Sequence, residues 1–194
     1  MDLSNIDTHI DNLFSGSIKE LDIALNDENK TITYALSFGN FTDVTYRTPQ
    51  KFKNQFGYKA YILFGFLTFR KIKSYKVDVK TQDIEFSDTF VFGVVSNTKT
   101  VGNIITFDDE IVELNDGLFE VLLIRKPRNL NELRIILRSI KRRDFTSDLF
   151  HFLTTDEITL HSKKSISWNH DGEYGGSSHQ TSIKVLKKRI KVYT

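Results

Sequence analysis

The chain has 194 residues, of which 39% are hydrophobic and 27% charged, with a formal net charge of +2; this balance is typical of one globular domain that buries a core. The absence of cysteine excludes a disulfide framework, a thiolate metal site and a cysteine nucleophile. The longest apolar stretch, around residues 60–69, is too short to span a bilayer, and the N-terminus lacks the pattern of a secretory signal. These features predict a cytoplasmic protein.

The first predicted elements form a β-hairpin. Apolar and polar residues alternate over residues 18–25, which predicts a strand that ends at the turn of residues 26–29. Residues 31–38 are rich in β-branched and aromatic side chains and are predicted to form the partner strand, with a break at Gly39.

Two helices are predicted. Apolar side chains recur at helical spacing over residues 49–69, where Pro49 can occupy the first turn. The second helix, over residues 130–143, follows Asn129, which forms a capping-box pattern with Glu132. Between and after the helices, strands are predicted over residues 74–79, 83–86, 89–96, 117–124, 157–161, 165–168, 180–185 and 189–193.

The order of these elements predicts the fold class. Many short strands with two helices indicate a mainly β fold, either a β-sandwich or a twisted double antiparallel sheet. Strands and helices do not alternate regularly, so a doubly wound nucleotide-binding sheet is not expected within these residues.

The first segment that could carry chemistry is residues 169–176, between two predicted strands. Asp171 and Glu173 are separated by one glycine. If both carboxylates point into one cavity, their repulsion raises the pKa of one toward the range that a general base needs. An Asp-Gly pair is also the commonest hairpin turn, so this segment alone indicates a turn as readily as a site.

Two further polar segments are ambiguous in the same way. In residues 113–119, the carboxylate of Asp116 is flanked by backbone carbonyls that could help it hold a hard cation such as Mg²⁺, although a simple turn explains the segment equally well. Residues 96–103 form a polar loop of small residues that could let a substrate approach the backbone, or could be an ordinary turn. The histidines lack zinc-ligand spacing, and neither a nucleophile elbow nor a Walker-type loop is present.

The order and spacing of these segments resemble the C-terminal part of the diacylglycerol kinase catalytic family, which includes sphingosine and ceramide kinases and soluble bacterial lipid kinases. The matching stretches are residues 14–16, 20–23, 33–39, 57–61, 94–103, 115–121 and 171–173, and the similarity covers nearly the whole chain. The chain departs from the family in two places. Family members usually carry two or three glycines where this chain has Gly102 and Asn103, and the Gly-Gly-Asp-Gly-Thr nucleotide motif is absent.

The resemblance implies a two-domain lipid kinase that uses ATP and Mg²⁺ to phosphorylate the hydroxyl of diacylglycerol or a similar lipid. By this resemblance, Glu173 would be the general base on the hydroxyl, and Asp171 would orient the site or help to hold the metal of the nucleotide. The Asp116 carboxylate, with the backbone carbonyls of Glu113 and Leu118, would bind a structural Mg²⁺ away from the chemistry.

The resemblance also implies how the chain is organised. Residues 1–194 would be a single acceptor-side domain without the nucleotide-binding domain that would precede it, so the chain alone is expected to be inactive. The helix over residues 49–69 could line an acyl-chain pocket, although such apolar stripes more often pack in a core. The expected partners are the lipid substrate and, transiently, the inner membrane surface, where the protein would be peripheral. The face left by the absent domain could drive formation of a homodimer.

The basic residues of the second predicted helix allow two interpretations of the surface that they form. Arg134, Arg138 and Lys141 on one side of the second helix could meet an anionic membrane, or could simply be solvated. No ordered basic and aromatic motif is present, so nucleic-acid binding is not expected. The alternative function is that of a non-catalytic β-sandwich module that binds a lipid without chemistry.

Overall fold

The structure, a computed structural model, describes residues 17–39, 73–102, 105–107 and 112–193. In chain order the elements of these ranges are β1 (Ile18–Asn26), β2 (Thr31–Ile32), β3 (Ala35–Gly39), β4 (Tyr75–Lys80), β5 (Glu85–Ser96), β6 (Thr100–Val101), β7 (Ile105–Thr106), β8 (Phe119–Arg125), α1 (Leu130–Arg142), β9 (Phe150–Thr155), β10 (Glu157–His170) and β11 (Glu173–Tyr193). The prediction of a mainly β fold is confirmed. Of the two predicted helices, α1 is found, and the helix over residues 49–69 lies outside the described ranges.

Most of the strands belong to one antiparallel sheet. Its order is β2-β1-β11-β10-β3-β5-β8-β9, and β4 pairs with both β10 and β5. β6 and β7 form a separate two-stranded sheet. The long strands β10 and β11 are joined by a tight turn and pair along most of their length, so they form a long β-hairpin within the sheet.

β3 and β4 together occupy one strand position between β5 and β10. β3 pairs with residues 92–96 of β5 and residues 168–170 of β10, whereas β4 pairs with residues 85–90 and 159–161 of the same two strands. Both are antiparallel to these neighbours, so they lie end to end as the two halves of one interrupted strand. The first half ends at Gly39, where φ is 100° and a Cβ would lie 2.2 Å from the carbonyl oxygen of Val91, so the position requires glycine.

Apolar side chains are buried on both faces of β5 and β8. On one face, Val95 and Val121 pack in a cluster with residues of β1, β3, β4, β10 and β11, and the sheet curls around this cluster as a sandwich. On the other face, Val94 and Leu122 pack with Ile136 of α1. Successive residues of a strand point to opposite faces, so burial on both faces explains why these two strands are almost continuously apolar.

Helix α1 begins at the cap that the sequence predicts. The side-chain oxygen of Asn129 accepts hydrogen bonds from the backbone N–H groups of Asn131 and Glu132, both at 2.9 Å. The carboxylate of Glu132 accepts the backbone N–H of Arg128 at 2.6 Å. Such a cap stabilises a helix by about 1 kcal/mol. No helix in the described ranges has the length and apolar content needed to cross a bilayer.

Several predicted strand boundaries are wrong because the sequence breaks there have other causes. In β10 and β11 the predicted gaps fall at bulges, where the pairing register shifts over residues 161–166 and 186–190. In β5, Ser87 and Asp88 suggest a turn by their polarity, but they continue the pairing with β4. β9 was not predicted, and the strand predicted over residues 31–38 is divided into β2 and β3.

Candidate functional site

The three polar segments identified in the sequence lie at one edge of the sheet. They are the β5 loop (residues 97–102), the β8 turn (residues 113–118) and the hairpin turn between β10 and β11 (residues 170–173). Because neighbouring strands are antiparallel, the ends of β5 and β10 and the starts of β3 and β8 meet at the same edge. The fold therefore brings the hairpin turn to two segments that lie more than fifty residues before it in sequence.

A row of paired residues crosses the sheet at this edge. Ala35 of β3 pairs with Ser96 of β5, and Ser96 pairs with Glu120 of β8. The backbone N–H of Asp171 donates to the carbonyl of Ala35 at 2.9 Å, which extends the row to the hairpin turn. Asp171 and Glu120 are thus three strand spacings apart, or about 14 Å.

Asp171 anchors the hairpin turn to the start of β3. Its Oδ2 accepts the N–H and the hydroxyl of Thr33 at 3.0 and 2.8 Å, and its Oδ1 accepts the N–H groups of Tyr34 and Ala35, both at 2.9 Å. Burial acts to raise the pKa of Asp171, but these hydrogen bonds outweigh it and hold the pKa below its ordinary value. The increase in pKa that repulsion between the Asp171 and Glu173 carboxylates would cause is therefore not found at Asp171.

The same hydrogen bonds explain why the strand predicted over residues 31–38 is divided into β2 and β3. The N–H groups of residues 33–35 turn toward the Asp171 carboxylate instead of a neighbouring strand, so the chain bends between β2 and β3. The partner that causes the bend is 138 residues away from Thr33, so no local pattern around Thr33 could reveal it.

Glu173 occupies a different environment. Asp171 and Gly172 have φ values of 49° and 97°, the backbone that an Asp-Gly hairpin turn requires. The chain re-enters the sheet at Glu173, which is exposed. In the part of the chain that the structure describes, the Glu173 carboxylate has no hydrogen-bond or ion-pair partner. The structure therefore separates the two carboxylates into one that is anchored and one that is accessible.

Tyr34 and Asn97 link the hairpin turn to the other two segments. The hydroxyl of Tyr34 donates to the carbonyl of Thr100, and its own carbonyl accepts the N–H of Asn97 at 3.0 Å. The side-chain amide of Asn97 donates to the carbonyls of Asp22 at 3.0 Å and Leu114 at 3.4 Å. Hydrogen bonds thus run without a break from the hairpin turn, through the β5 loop, to the β8 turn.

The buried carboxylate of Asp22 holds the β8 turn from the opposite side. It accepts the backbone N–H groups of Gly117 at 2.5 Å and Lys188 at 2.6 Å, and the N–H of Asp22 donates to Leu114 at 2.9 Å. Sequence reasoning missed Asp22 because the alternation of β1 places it on the side opposite its apolar neighbours. The structure instead buries Asp22, at a point where β1 faces a bulge in β11.

The predicted metal ligands lie on this turn. Oδ1 of Asp116 accepts the N–H of Leu118 at 2.9 Å, and the Asp116 carbonyl accepts the ammonium of Lys187 at 2.8 Å. A set made of the Asp116 carboxylate and the carbonyls of Glu113 and Leu118 would consist of hard oxygen donors, the type that Mg²⁺ prefers. Among the described residues no three His, Asp or Glu side chains are grouped to hold a metal, so an ion here would depend on backbone oxygens and water.

Glu120 and Ser96 are the residues of this edge that sequence reasoning did not identify as a site. Their exposed fractions are 1% and 0%, and within the described ranges neither the carboxylate oxygens of Glu120 nor the hydroxyl of Ser96 has a hydrogen-bond partner. Burial raises the pKa of Glu120 to about 7, and the negative charge of Asp116 adds to the shift. The available signal was one acidic residue inside an otherwise apolar strand.

A small cleft lies beside the hairpin turn. Its walls include Trp168 and His170 of β10, Ser178 and Thr181 of β11, and the acidic turn after β1. This lining is largely polar and does not suit an acyl chain. The helix that was predicted to line an acyl-chain pocket lies outside the described residues.

Comparison with protein families identifies the class of domain. Residues 41–194 match the family model described as the YegS C-terminal NAD kinase beta sandwich-like domain. This match covers well over half of the chain, and the chain therefore belongs to that family. The sandwich seen in the structure agrees with the description of the family.

Individual relatives are named diacylglycerol kinases. The protein from Staphylococcus saprophyticus is 27% identical over 192 residues, which are 98% of this chain and 62% of that relative, and one from Staphylococcus epidermidis is 27% identical over 98% and 60%. The crystal structure of a diacylglycerol kinase from Bacillus anthracis shares the fold, with a TM-score of 0.65 at 13% identity over 97% of this chain and 58% of that one. The resemblance to the diacylglycerol kinase family is confirmed, and the chain spans about three fifths of the length of these relatives.

Proposed function

We propose that this chain is the acceptor-side part of an ATP-dependent lipid kinase that phosphorylates the hydroxyl of diacylglycerol or a similar lipid. The observation that carries the proposal is the meeting of the hairpin turn, the β5 loop and the β8 turn at one edge of the sheet. These are the segments on which the family resemblance rests, and one hydrogen-bond network joins them. The names of the curated relatives support the same activity.

In this proposal Glu173 is the general base and Asp171 positions it. The oxygens of Asp171 already accept four hydrogen bonds and its pKa is lowered, so it is a weak acceptor for the proton of an alcohol. Glu173 is exposed and lies two residues further on, where its carboxylate can reach a hydroxyl presented at the sheet edge. Phosphoryl transfer depends mainly on positioning and charge, so a held turn with one accessible carboxylate suits it.

A structural Mg²⁺ is proposed at the β8 turn, on the Asp116 carboxylate and the carbonyls of Glu113 and Leu118. When bound, Mg²⁺ would neutralise negative charge and fix the shape of the turn. The carbonyl of Leu114 is already occupied by two donors, which leaves the carbonyls on either side of the turn as candidate ligands. ATP is proposed to bind mainly to a separate nucleotide-binding domain, so this chain alone is expected to be inactive.

Two surface properties belong to the proposal. Arg134 and Arg138 are exposed on α1 and could provide a transient, peripheral contact with an anionic inner membrane surface. Formation of a homodimer also stays a prediction. Flotation with anionic vesicles tests the first and analytical ultracentrifugation tests the second.

A phosphorylation assay tests the proposed function. Labelled ATP is supplied with a panel of lipid alcohols to this chain alone, and to a fusion with the part of the Staphylococcus saprophyticus relative that the match does not cover. Labelled lipid formed by the fusion alone supports the proposal and identifies the acceptor. Lipid binding without labelling in either form would instead favour a non-catalytic lipid-binding module.

A further inference from the structure

We propose that the outer face of the β1–β11 pair is the surface on which the nucleotide-binding domain docks. The docking surface, here called the outer patch, consists of five aliphatic residues: Leu21, Ile23, Leu186, Ile190 and Val192. This inference rests on the proposed function, which assigns ATP to a separate domain, and it adds the surface of this chain that binds that domain.

The apolar side of β1 points away from the core of the sandwich. Successive residues of a strand point to opposite faces. Asp22 and Ala24 are buried, with exposed fractions of 1% and 0%, so the inner face of β1 carries a carboxylate and a methyl group. Leu21 and Ile23 therefore lie on the outer face. Both are half-buried, and neither belongs to an apolar core cluster of the described residues.

β11 continues the same outer face. Its pairing with β1 places Ile190 opposite Leu21 and Leu186 opposite Ile23. Directly opposed residues of antiparallel strands share a face, and Val192, two residues beyond Ile190, shares it as well. Val192 is 37% exposed, and in the described ranges the core clusters include none of these three β11 residues. The five side chains thus form one aliphatic surface across two strands.

The outer face of the neighbouring stretch of sheet is polar. Earlier in β11, Ser182 and Gln180 lie on this face, opposite Thr159 and His161 of β10. A sheet face that meets water is normally polar, whereas the face toward the core is apolar. The change from hydroxyl, amide and imidazole groups to aliphatic side chains therefore marks the outer patch as the part of this face that a partner covers.

The open end of the β1–β11 pair exposes two further apolar residues. Ile18 and Tyr193 are paired with each other, and their exposed fractions are 53% and 57%. They lie on the face opposite Val192, because successive residues of β11 alternate between faces. Apolar surface is thus exposed on both sides of this end. A flat lipid surface can cover only one of these sides, whereas a folded domain can enclose both.

The position of the chain ends indicates which domain this is. Ile18 and Tyr193 lie side by side, so a domain joined to this one through either end is tethered close to the outer patch. The relative from Staphylococcus saprophyticus has about two fifths of its length outside the match, which is enough for a further domain. Interfaces between domains of one chain bury about 600–1,500 Å², and the outer patch with Ile18 and Tyr193 can supply the apolar centre of such an interface.

A domain docked on the outer patch would lie close to the candidate site. Asp22 lies between two residues of the patch in sequence, points to the opposite face and holds the β8 turn through the N–H of Gly117. Lys188, which also lies between two patch residues, donates its N–H to the same carboxylate. The outer patch and the β8 turn are therefore on opposite sides of the same two strands, and docking there would bring a bound nucleotide close to the site.

The test measures the accessibility of the outer patch, without any activity assay. The chain has no cysteine, so one introduced cysteine reports on one position of it. Val192→Cys and Ile84→Cys are each prepared in this chain alone and in the fusion with the uncovered part of the Staphylococcus saprophyticus relative. Ile84 is the matched control, because it is 44% exposed and lies between β4 and β5. Mass spectrometry follows the rate at which a maleimide modifies each cysteine.

If the proposal holds, Val192→Cys reacts at least about tenfold more slowly in the fusion than in the chain alone, because a covered thiol reacts only when the interface opens. Ile84→Cys reacts equally in both. Equal rates for Val192→Cys in both proteins would overturn the proposal. Slow reaction already in the chain alone would overturn it as well. A slow rate that does not depend on protein concentration would then assign the cover to this chain, and one that falls with concentration would assign it to a second copy.

A second substitution tests whether the outer patch itself causes the protection. Ile190→Lys, added to Val192→Cys in the fusion, should restore the rate of the chain alone, because a lysine at the centre of the patch opposes docking. Ile84→Lys should leave the reaction slow. Protection that persists with Ile190→Lys would overturn the proposal. A protected patch in a fusion that phosphorylates no lipid would refute the proposed function alone, whereas phosphorylation with an unprotected patch would refute the docking alone.

Discussion

The carboxylate of Asp22 accepts the backbone N–H of Gly117 at 2.5 Å, and this contact ties the first strand of the sheet to the turn before β8. The second oxygen of the same carboxylate accepts the N–H of Lys188 on the last strand. One buried side chain thus joins its own strand to two segments that lie 95 and 166 residues from it in sequence. The β8 turn owes its position to both strands of this pair, as well as to its own residues.

Replacement of Asp22 is expected to destabilise the domain. Asp22→Ala leaves the N–H groups of Gly117 and Lys188 without their acceptor, and the loss of two charge-assisted hydrogen bonds costs about 3 kcal/mol in the free energy of unfolding. Urea denaturation followed by circular dichroism measures this value. Asp83→Ala, at an exposed turn, is the control and should change the free energy by less than about 0.5 kcal/mol. Equal effects of the two replacements would contradict the anchoring role of Asp22.

Asp171→Asn is expected to lower stability in a pH-dependent manner. In the variant, the amide N–H₂ group takes the place of a carboxylate oxygen that accepts backbone N–H groups in the wild type. We therefore expect the free energy of unfolding to fall by about 2 kcal/mol at neutral pH. The pKa of Asp171 is lowered in the folded state, so the wild type holds this stabilisation above the ordinary value of 3.8 and loses it as the pH falls further. The difference between wild type and variant should therefore be constant from pH 7 to pH 5 and shrink below pH 3.8. Urea denaturation across this range measures it, and a difference that grows in acid would contradict the assignment.

Glu173→Gln is expected to remove turnover and keep the fold. General bases contribute roughly a hundredfold or more to rate, so kcat of the active fusion should fall by at least about a hundredfold. Glu173 is exposed and without a partner in the described ranges, so the free energy of unfolding should change by less than about 0.5 kcal/mol. Glu157→Gln, also on the β10–β11 pair, is the matched control and should keep full activity. Retained turnover in Glu173→Gln would exclude Glu173 as the base.

The interrupted strand makes a deletion test practicable. Gly39 pairs with Phe92 and Tyr75 with Phe90, so one residue is enough to span the gap in register, and removal of residues 40–73 leaves Ser74 for this purpose. The rings of Phe38 and Tyr75 already contact across the gap, with centroids 5.8 Å apart. We expect the shortened domain to unfold cooperatively in urea, with a circular dichroism spectrum dominated by β-structure.

The same deletion tests the acyl-chain role predicted for residues 49–69. In the active fusion it should abolish lipid phosphorylation, while a version with a flexible four-residue linker in place of Ser74 controls for strain at the junction. A shortened domain that folds and still phosphorylates lipid would exclude that segment from the lipid site. Failure of both versions to fold would show that the segment belongs to the core.

The sequence predicted those parts of the structure whose causes are local. The start of α1 depends on Asn129 and Glu132, which are three residues apart, and the hairpin turn depends on adjacent Asp171 and Gly172. The resemblance to the diacylglycerol kinase family indicated the order of the three segments at the site. By contrast, the division of residues 31–38 into two strands results from a carboxylate far along the chain, which no local pattern around those residues contains.

The same reason explains which site residues were missed. Asp22 fits an alternating strand as an ordinary surface residue, and its role becomes visible only when Gly117 and Lys188 are placed beside it. Glu120 interrupts an apolar strand, and a charge in such a strand marks either an edge or a buried site. The pairing with Ser96 decides between these, and pairing is a property of the folded sheet.

The pairing of Ile18 with Tyr193 has a consequence for how the domain is made. On the ribosome β1 emerges first of the described strands, but β11, the strand that pairs along most of it, is synthesised last. Until then the Asp22 carboxylate lacks the N–H donor of Lys188, and β1 presents unpaired backbone groups to solvent. Closure of this ribbon joins residues at the far ends of the described chain, which is the costliest kind of contact in chain entropy. We therefore expect β1 to join the sheet only after β11 has been synthesised, and nascent chains that end before residue 173 to need protection of this strand from aggregation.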